Sequence, residues 1–423
     1  MAYILGLLPE EDKPPWAKIN IFNSVSLPQS FLINVLAFPN ERQQYLEQLR
    51  NKISDYENTR LFPNDNWEYY KKIANPYELV YTQTKYPNFP QSISISKPLS
   101  RSYFKMIEMV EVVRFLEEYR LEFQPNGLRT AHACEGPGGF IEAIFDLAEK
   151  YKIRIHSSTA ITLRSSQSNI PGWRRANHFL SKNKQINIIY GEDRSGDILN
   201  IKNQKFFTES LLEKGGKVHL YTADGGLDFS DNYENQELKI FPILLASARI
   251  GVASLKKGGL MILKFFDIQH ECTRQLIFSL QLCFSRWTLY KPAMSRPCNP
   301  EQYFIGINFK HGFGTEEGMI AVYDKWQIQM KSPDVYLPYP LGIPNDFIQN
   351  INTLQSAIIE YQIKYLTIIF ELIHIIHAEF KISGQSTNKL IEEILKNHER
   401  KSYNWCIKFR VPHRLLPPNL IAA

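Results

Sequence analysis

Lys264 occupies a place where lysine is rarely found. The run Leu260-Met261-Ile262-Leu263-Lys264-Phe265-Phe266 is apolar on both sides of it. Burying an ammonium is costly, so a lysine here must face a cleft and meet a carboxylate. Two carboxylates stand at suitable points. Asp224 closes the run Leu220-Tyr221-Thr222-Ala223 and is followed by Gly225 and Gly226, which places it at a strand end facing an open cleft. Glu301 comes just before the β-rich run Gln302–Phe309, and Lys105 sits on the otherwise solvated face of a helical stretch. Taken singly, each has an ordinary structural explanation, since a strand-end lysine can also snorkel to water. Gathered in one cleft, they would be equipped for proton transfer.

A second feature is the turn Cys134-Glu135-Gly136-Pro137-Gly138-Gly139-Phe140. Glycines between a strand and a helix let a ligand approach the free amides at the helix N-terminus. The dinucleotide fingerprint fits poorly. It requires GxGxxG and an acid about 20 residues later, whereas the next strand ends in Ile161-Thr162-Leu163 with no carboxylate.

The elements that must position these residues alternate from residue 99 onward. A helix is predicted over Tyr103–Glu122 and a strand over Leu128–Cys134. Then come a helix Phe140–Lys150, strands Ile153–Leu163, Gln185–Tyr190 and Lys217–Ala223, and a helix Leu238–Leu255. A strand Gly259–Phe266 and the closing strands Trp287–Lys291 and Gln302–Phe309 follow, the last two separated by the tip PAMSRPCNPE. This rhythm means an α/β, doubly wound, mostly parallel sheet, in which chemistry gathers at the carboxyl ends of the strands. Residues 1–98 form an N-terminal extension with a helix near Glu41–Tyr56 and an extended 84–100. Residues 311–423 turn loop-rich and then helical, giving a separate C-terminal unit.

The 423 residues carry a net charge of +6, and the whole excess lies in 99–310, where 28 Lys and Arg meet 22 Asp and Glu. A positive field there suits a polyanion such as nucleic acid. The five cysteines are isolated, which excludes a zinc ribbon and a disulfide framework and points to a reducing compartment. The N-terminal MAYILGLLPEEDKPPW has an apolar start but no basic leader, and acids follow that start at once, making a poor signal peptide. The most apolar stretch, Leu354–Phe380, is interrupted by Glu360, Lys364, Glu371 and Glu379 and reads as a buried amphipathic helix, so no membrane is expected. Its His374 and His377 lack a third ligand, and no metal is expected. Lys256-Lys257-Gly258-Gly259 lacks the P-loop spacing and reads as a helix C-terminus.

Assembled in order, several segments form a specific pattern. They are Ser102-Tyr103-Phe104-Lys105-Met106, CEGPGGF, Tyr190-Gly191-Glu192-Asp193 with Ser195-Gly196-Asp197-Ile198, and TADGG. LKFF, Lys291-Pro292, Ser295-Arg296 and Glu301-Gln302-Tyr303 complete it. Over about 99–310 the chain resembles the FtsJ-like (RrmJ-type) RNA 2′-O-ribose methyltransferases, within them the viral and eukaryotic mRNA cap branch. The resemblance implies a Rossmann-like methyltransferase fold and S-adenosylmethionine as methyl donor, cradled by Glu135, Gly136, Pro137, Gly138, Gly139 and Phe140. It implies a Lys–Asp–Lys–Glu tetrad carried by Lys105, Asp224, Lys264 and Glu301, with Asp224 also facing the cofactor.

In that frame Lys264 is the general base. It acts only when neutral, and Lys105 together with partial desolvation is expected to lower its pKa. Asp224 and Glu301 orient. Asp193 and Asp197 are both candidates for the adenine amino group, with Asp197 preferred, and Asn169 or a backbone group stands in for the missing ribose-binding acid. Ser295 and Arg296 at the tip are expected to grip RNA phosphate. Tyr103, Trp173, Tyr190 and Trp287 are available to stack a methylated guanine. The implied partner is RNA, capped mRNA first, with an oligomer or partner subunit through the C-terminal helical region. The host cytoplasm and the virion are the expected locations. Alternatives that stay open are a catalytically silent binding or assembly module, and a methyltransferase for ribosomal or transfer RNA.

Overall fold

The computed structural model describes residues 22–23, 41–57, 60–84, 86, 89–123, 126–165, 172–226, 236–310, 315–330, 343–384 and 389–415. Asn169 lies outside them. The strands are β1 (Phe22–Asn23), β2 (Leu128–Ala133), β3 (Ile155–Ile161), β4 (Ile186–Ile189), β5 (Val218–Ala223), β6 (Leu255–Phe265), β7 (Phe284–Tyr290) and β8 (Gln302–Phe309). They form one sheet in the order β1-β7-β8-β6-β5-β2-β3-β4. From β4 to β6 every pairing is parallel, while β8 runs antiparallel to both β6 and β7. The chain leaves β2 toward β4 and returns at β5, so the sheet switches direction between β2 and β5. A crevice opens there, outside the carboxyl ends of the strands. Because β8 is antiparallel, its first residue, Gln302, pairs with Phe265 at the end of β6, and Glu301 reaches the same edge from the opposite direction.

Helices cover both faces. They are α1 (Glu41–Glu57), α2 (Trp67–Ile73), α3 (Ser102–Val112), α4 (Gly139–Lys150), α5 (Asn177–Lys182), α6 (Ile201–Glu213), α7 (Gln236–Ser254), α8 (Glu271–Leu282), α9 (Thr315–Gln329), α10 (Asn345–Ser383) and α11 (Lys389–Phe409). Alternation along the strands divides the core. Tyr221, Met261 and Leu263 pack toward α6, α7 and α8, and Leu220, Leu260 and Ile262 toward α3, α4 and α11. A third core joins α1 and α2 to α10 and the start of α11. The apolar stripe of α10 (Ile359, Ile363, Leu366, Ile369, Ile373) is therefore covered by the chain's own N-terminal helices. The buried amphipathic helix expected over Leu354–Phe380 is thus observed, and these residues offer no free apolar face to the partner subunit expected through this region.

Three local expectations need correction. The helix expected over Tyr103–Glu122 ends at Val112, because Arg114 takes a left-handed φ of 52° before the short helix Phe115–Glu118. Lys256 and Lys257 do not lie in a helix. Helix α7 ends at Ser254 and β6 starts at Leu255, so the lysines belong to the strand, and Gly258 with φ 82° shapes its entry. The extended 84–100 contributes only a bridge, Ser94 to His413, to regular pairing among the described residues. No helix among the described residues is long and apolar enough to cross a membrane. No group of three or more His, Cys, Asp or Glu among them could hold a metal ion. His374 instead meets the Tyr56 hydroxyl at 3.1 Å, and His377 meets Asp65 at 2.9 Å.

Candidate active site

The glycine turn after β2 is built around one buried carboxylate. Glu135 Oε1 accepts the Phe140 amide at 2.7 Å, and the Glu135 carbonyl accepts the Gly138 amide at 2.6 Å. Gly138 requires its glycine, with φ 106° and the Trp173 ring placed where a Cβ would crowd it. At Gly139 a Cβ would collide with the hydroxyls of Ser100 and Ser102, which stand at the start of α3. The turn and α3 thus touch through a position that only glycine fills. Burial, reinforced by nearby Asp224, pushes the Glu135 carboxyl well above the ordinary carboxylate range. Its Oε2 is buried with no hydrogen-bond partner. An orphaned buried acceptor at this turn fits a ligand that brings a hydrogen-bond donor such as an amine.

Across the switch point, four charged side chains from four elements converge. Lys105 on α3 and Glu301 at the entry to β8 are 2.7 Å apart. Lys264 near the end of β6 lies 3.4 Å from Asp224 and 3.7 Å from Glu301. Their side chains keep between 11% and 17% of their exposure, so the cluster is sheltered but reachable. Burial works against the Lys264 ammonium, but Asp224 and Glu301 outweigh it and hold its pKa above the ordinary value. This corrects the expectation that Lys105 and desolvation would lower it. Lys105 is taken up by Glu301, and two carboxylates face Lys264. For Glu301, burial is likewise overcome by Lys105 and Lys264, and its carboxyl is held below the usual range.

Two residues that belong to the sequence pattern, but to which it assigned no role, complete the cluster. Tyr303 pairs with Lys264 across the β6–β8 ladder, and its buried hydroxyl donates to Asp224 at 3.0 Å. Lys291 donates to Ser295 Oγ and to the carbonyls of Asn299 (2.6 Å) and Glu301 (2.8 Å). Burial pulls its pKa down to about 8. It closes the 291–301 loop onto the residue that ends it. Tyr303 could have been suspected from the alternation of β8. Nothing local in the sequence marks Lys291 as buried.

The structure gives several expected site residues other tasks. Ser295 is buried, and Arg296 donates to Glu78 and Glu68, so this pair does not present itself to an RNA phosphate. The Asp193 carboxylate is used within its own loop, accepting from Ser195, Asn200 and Asn203. Asp197 accepts the Leu199 amide at 2.9 Å. Among the aromatics, Trp287 is fully buried against Phe304 and Phe347, Tyr103 is buried and donates to Asp146, and Trp173 lies on Gly138. Tyr190 alone of these four keeps a half-exposed ring, with the Arg164 guanidinium 5.5 Å from its centre.

Comparison with known proteins identifies the family of the central segment. The FtsJ-like methyltransferase family matches residues 98–309. A protein of African swine fever virus named "Probable methyltransferase EP424R" is 29% identical over 241 residues, 53% of this chain and 52% of that protein. The "Cap-specific mRNA (nucleoside-2'-O-)-methyltransferase 1" of Trypanosoma cruzi is 28% identical over 255 residues, covering 57% and 67%. The "Cap-specific mRNA (nucleoside-2'-O-)-methyltransferase" of Autographa californica nuclear polyhedrosis virus is 29% identical over 178 residues, covering 41% and 62%. The matched part spans just over half the length of the swine fever virus relatives.

Proposed function

This chain belongs to the FtsJ-like methyltransferase family, and from that premise we propose that it methylates a ribose 2′-hydroxyl of RNA, in the 5′ cap region of mRNA. The observation that carries the reading is the convergence of Lys105, Asp224, Lys264 and Glu301 beside the Glu135–Phe140 turn. The names of the relatives favour a capped substrate, and the basic excess of the matched segment favours a polyanion.

The unpartnered Glu135 Oε2 and the amides of the glycine turn fit S-adenosylmethionine, with Asp224 facing it and Asp197 preferred to Asp193 near the adenine, because Asp193 is spent on its own loop. When bound, the cofactor would supply an electrophilic methyl on a sulfonium, which would leave as a neutral thioether once the methyl passes to the hydroxyl oxygen. Lys264 Nζ takes the proton of the attacking hydroxyl. In the free protein Asp224 and Glu301 keep that nitrogen protonated. A further positive charge in the crevice competes for the same carboxylates and lowers the Lys264 pKa toward working pH. Tyr303 fixes Asp224, Glu301 holds Lys105, and both keep Lys264 on one line of approach. Placement in this geometry is the main contribution of the protein.

The test is methyl transfer from labelled S-adenosylmethionine to capped and uncapped transcripts, read by nuclease digestion and mass spectrometry. A 2′-O-methyl beside the cap, absent with Lys264→Ala, is expected. Transfer to a base, or undiminished transfer by that variant, would overturn the reading. Equal transfer to uncapped RNA would move the substrate away from the cap.

A further inference from the structure

Glu78 lies outside the family-matched segment, in the single 3-10 turn Glu78–Val80. Its side chain is only 2% exposed, a setting in which an unpaired carboxylate is costly. Two arginines meet it. Arg101 Nη1 is 3.3 Å from Glu78 Oε1, and Arg296 donates from Nε to Oε2 at 3.3 Å and from Nη2 to Oε1 at 3.4 Å. The Asn75 amide adds a bond to Oε2 at 2.7 Å. Burial would raise the carboxyl, yet the two guanidiniums outweigh it and hold it below its ordinary range.

What distinguishes this cluster is where its arginines sit. Arg101 is the residue immediately before α3, one turn ahead of Lys105. The same Nη1 donates to the Tyr81 carbonyl at 2.6 Å, and Nε donates to the Met294 carbonyl at 3.3 Å, so Arg101 also grips the 291–301 loop. Arg296 belongs to that loop, which ends in Glu301, and its Nη1 reaches Glu68 at 3.4 Å. The two arginines that converge on one carboxylate therefore precede the two residues that meet in the Lys105–Glu301 pair. Lys291 transmits the constraint along the loop through its bonds to Asn299 and Glu301.

We propose that Glu78 is a positioning residue: by tying Arg101 and Arg296 together, it fixes Lys105 against Glu301 and so sets the geometry in which Lys264 works. The inference rests on the methyl-transfer reading above and adds to it a residue that the family match does not include. A mere anchor for the N-terminal segment would act differently. Its loss would lower stability and leave the chemical step of the folded fraction intact.

The full chain, Glu78→Gln and Glu78→Asp are compared by kcat, by KM for S-adenosylmethionine, and by deuterium uptake of backbone amides. For Glu78→Gln, kcat is expected to fall about ten-fold or more, as for a small misplacement of catalytic groups. KM stays within about two-fold, because the cofactor turn is untouched. Uptake quickens in both 101–106 and 294–301, and Glu78→Asp recovers part of the rate. Full kcat in Glu78→Gln, or faster uptake confined to 60–82, would overturn the proposal. If Glu78→Gln does not fold, Arg296→Lys is read in the same way, since it keeps the charge and loses the double contact. Should the wild-type chain transfer no methyl to any RNA, it is the functional reading that fails. The exchange data then still decide the coupling: faster uptake in both segments keeps it, and unchanged uptake removes it.

Discussion

Two charge clusters meet at the 291–301 loop, and they are held to different tolerances. Around Glu78 the carboxylate is sealed at 2% exposure, and the Arg101 donors are occupied by carbonyls as close as 2.6 Å. Around Lys264 the two facing carboxylates stand at 3.4 and 3.7 Å, and all four charged side chains remain reachable. Within that second cluster Lys105 and Glu301 pair tightly, so looseness is concentrated on one nitrogen. The difference is instructive. A group that only holds can be saturated with partners, whereas a group that must exchange a proton needs an open approach and contacts that can be given up.

That contrast is broken most severely by Lys264→Ala. Turnover should fall by roughly 10³-fold, within the range of general-base contributions, with calorimetric affinity for S-adenosylmethionine little changed. Glu78→Ala differs by adding a loss of stability to its smaller loss of rate. It leaves two guanidiniums buried without their carboxylate and should cost about 3 kcal/mol of stability. In urea unfolding its midpoint should lie below that of Asp224→Ala, and the reverse order would erase the distinction.

The pH profile sharpens the comparison further. Because Asp224 and Glu301 hold Lys264 above its ordinary pKa, log kcat/KM for the free enzyme should climb with unit slope and reach no plateau below the ordinary lysine range. Gly139→Ala tests the joint between turn and helix. Its methyl meets the Ser100 and Ser102 hydroxyls, and a roughly ten-fold loss of cofactor affinity is expected by calorimetry. The smallest effect concerns Glu108, which accepts from Tyr290, Ala293 and Trp405 and whose pKa burial raises to about 7. A raised carboxyl means that the folded state favours the protonated acid. Its contribution is complete below the unfolded value and is lost as pH rises through about 7. Melting temperatures should fall by a few degrees between those limits, and Glu108→Gln should flatten the trend.

Much of the central sheet was legible because its strands are short apolar runs punctuated by glycine, as at Thr222-Ala223-Asp224-Gly225. The antiparallel return of β8 is less visible; the place of Glu301 beside a clear strand is legible, while a role for it comes only from the family resemblance. Helices α6 and α8 were missed. Residues 201–213 scatter Phe206 and Leu212 onto the exposed face, which blurs the helical period, and residues 271–282 bury Thr273, Gln275, Ser279 and Gln281, so polarity misleads there. The tip PAMSRPCNPE reads as an exposed loop because Pro, Asn, Ser and Arg are surface residues by habit. Its burial depends on Glu78 and Glu68, which lie more than two hundred positions away. Trp287 failed as a stacking candidate for a related reason: alternation assigns it to a face, but not to a face covered by Phe347 of the distant α10.

The antiparallel register of β8 with β6 carries a consequence for how this protein can vary. Tyr303 lies opposite Lys264, and Gln302 opposite Phe265. Side chains alternate across a strand, so a slide of one residue would turn Tyr303 away from Asp224 and send its ring into the opposite core. The loop before β8 can therefore gain or lose residues only where the slack is absorbed ahead of Glu301. Evolutionary freedom in length stops at that glutamate, and beyond it the ladder counts every position.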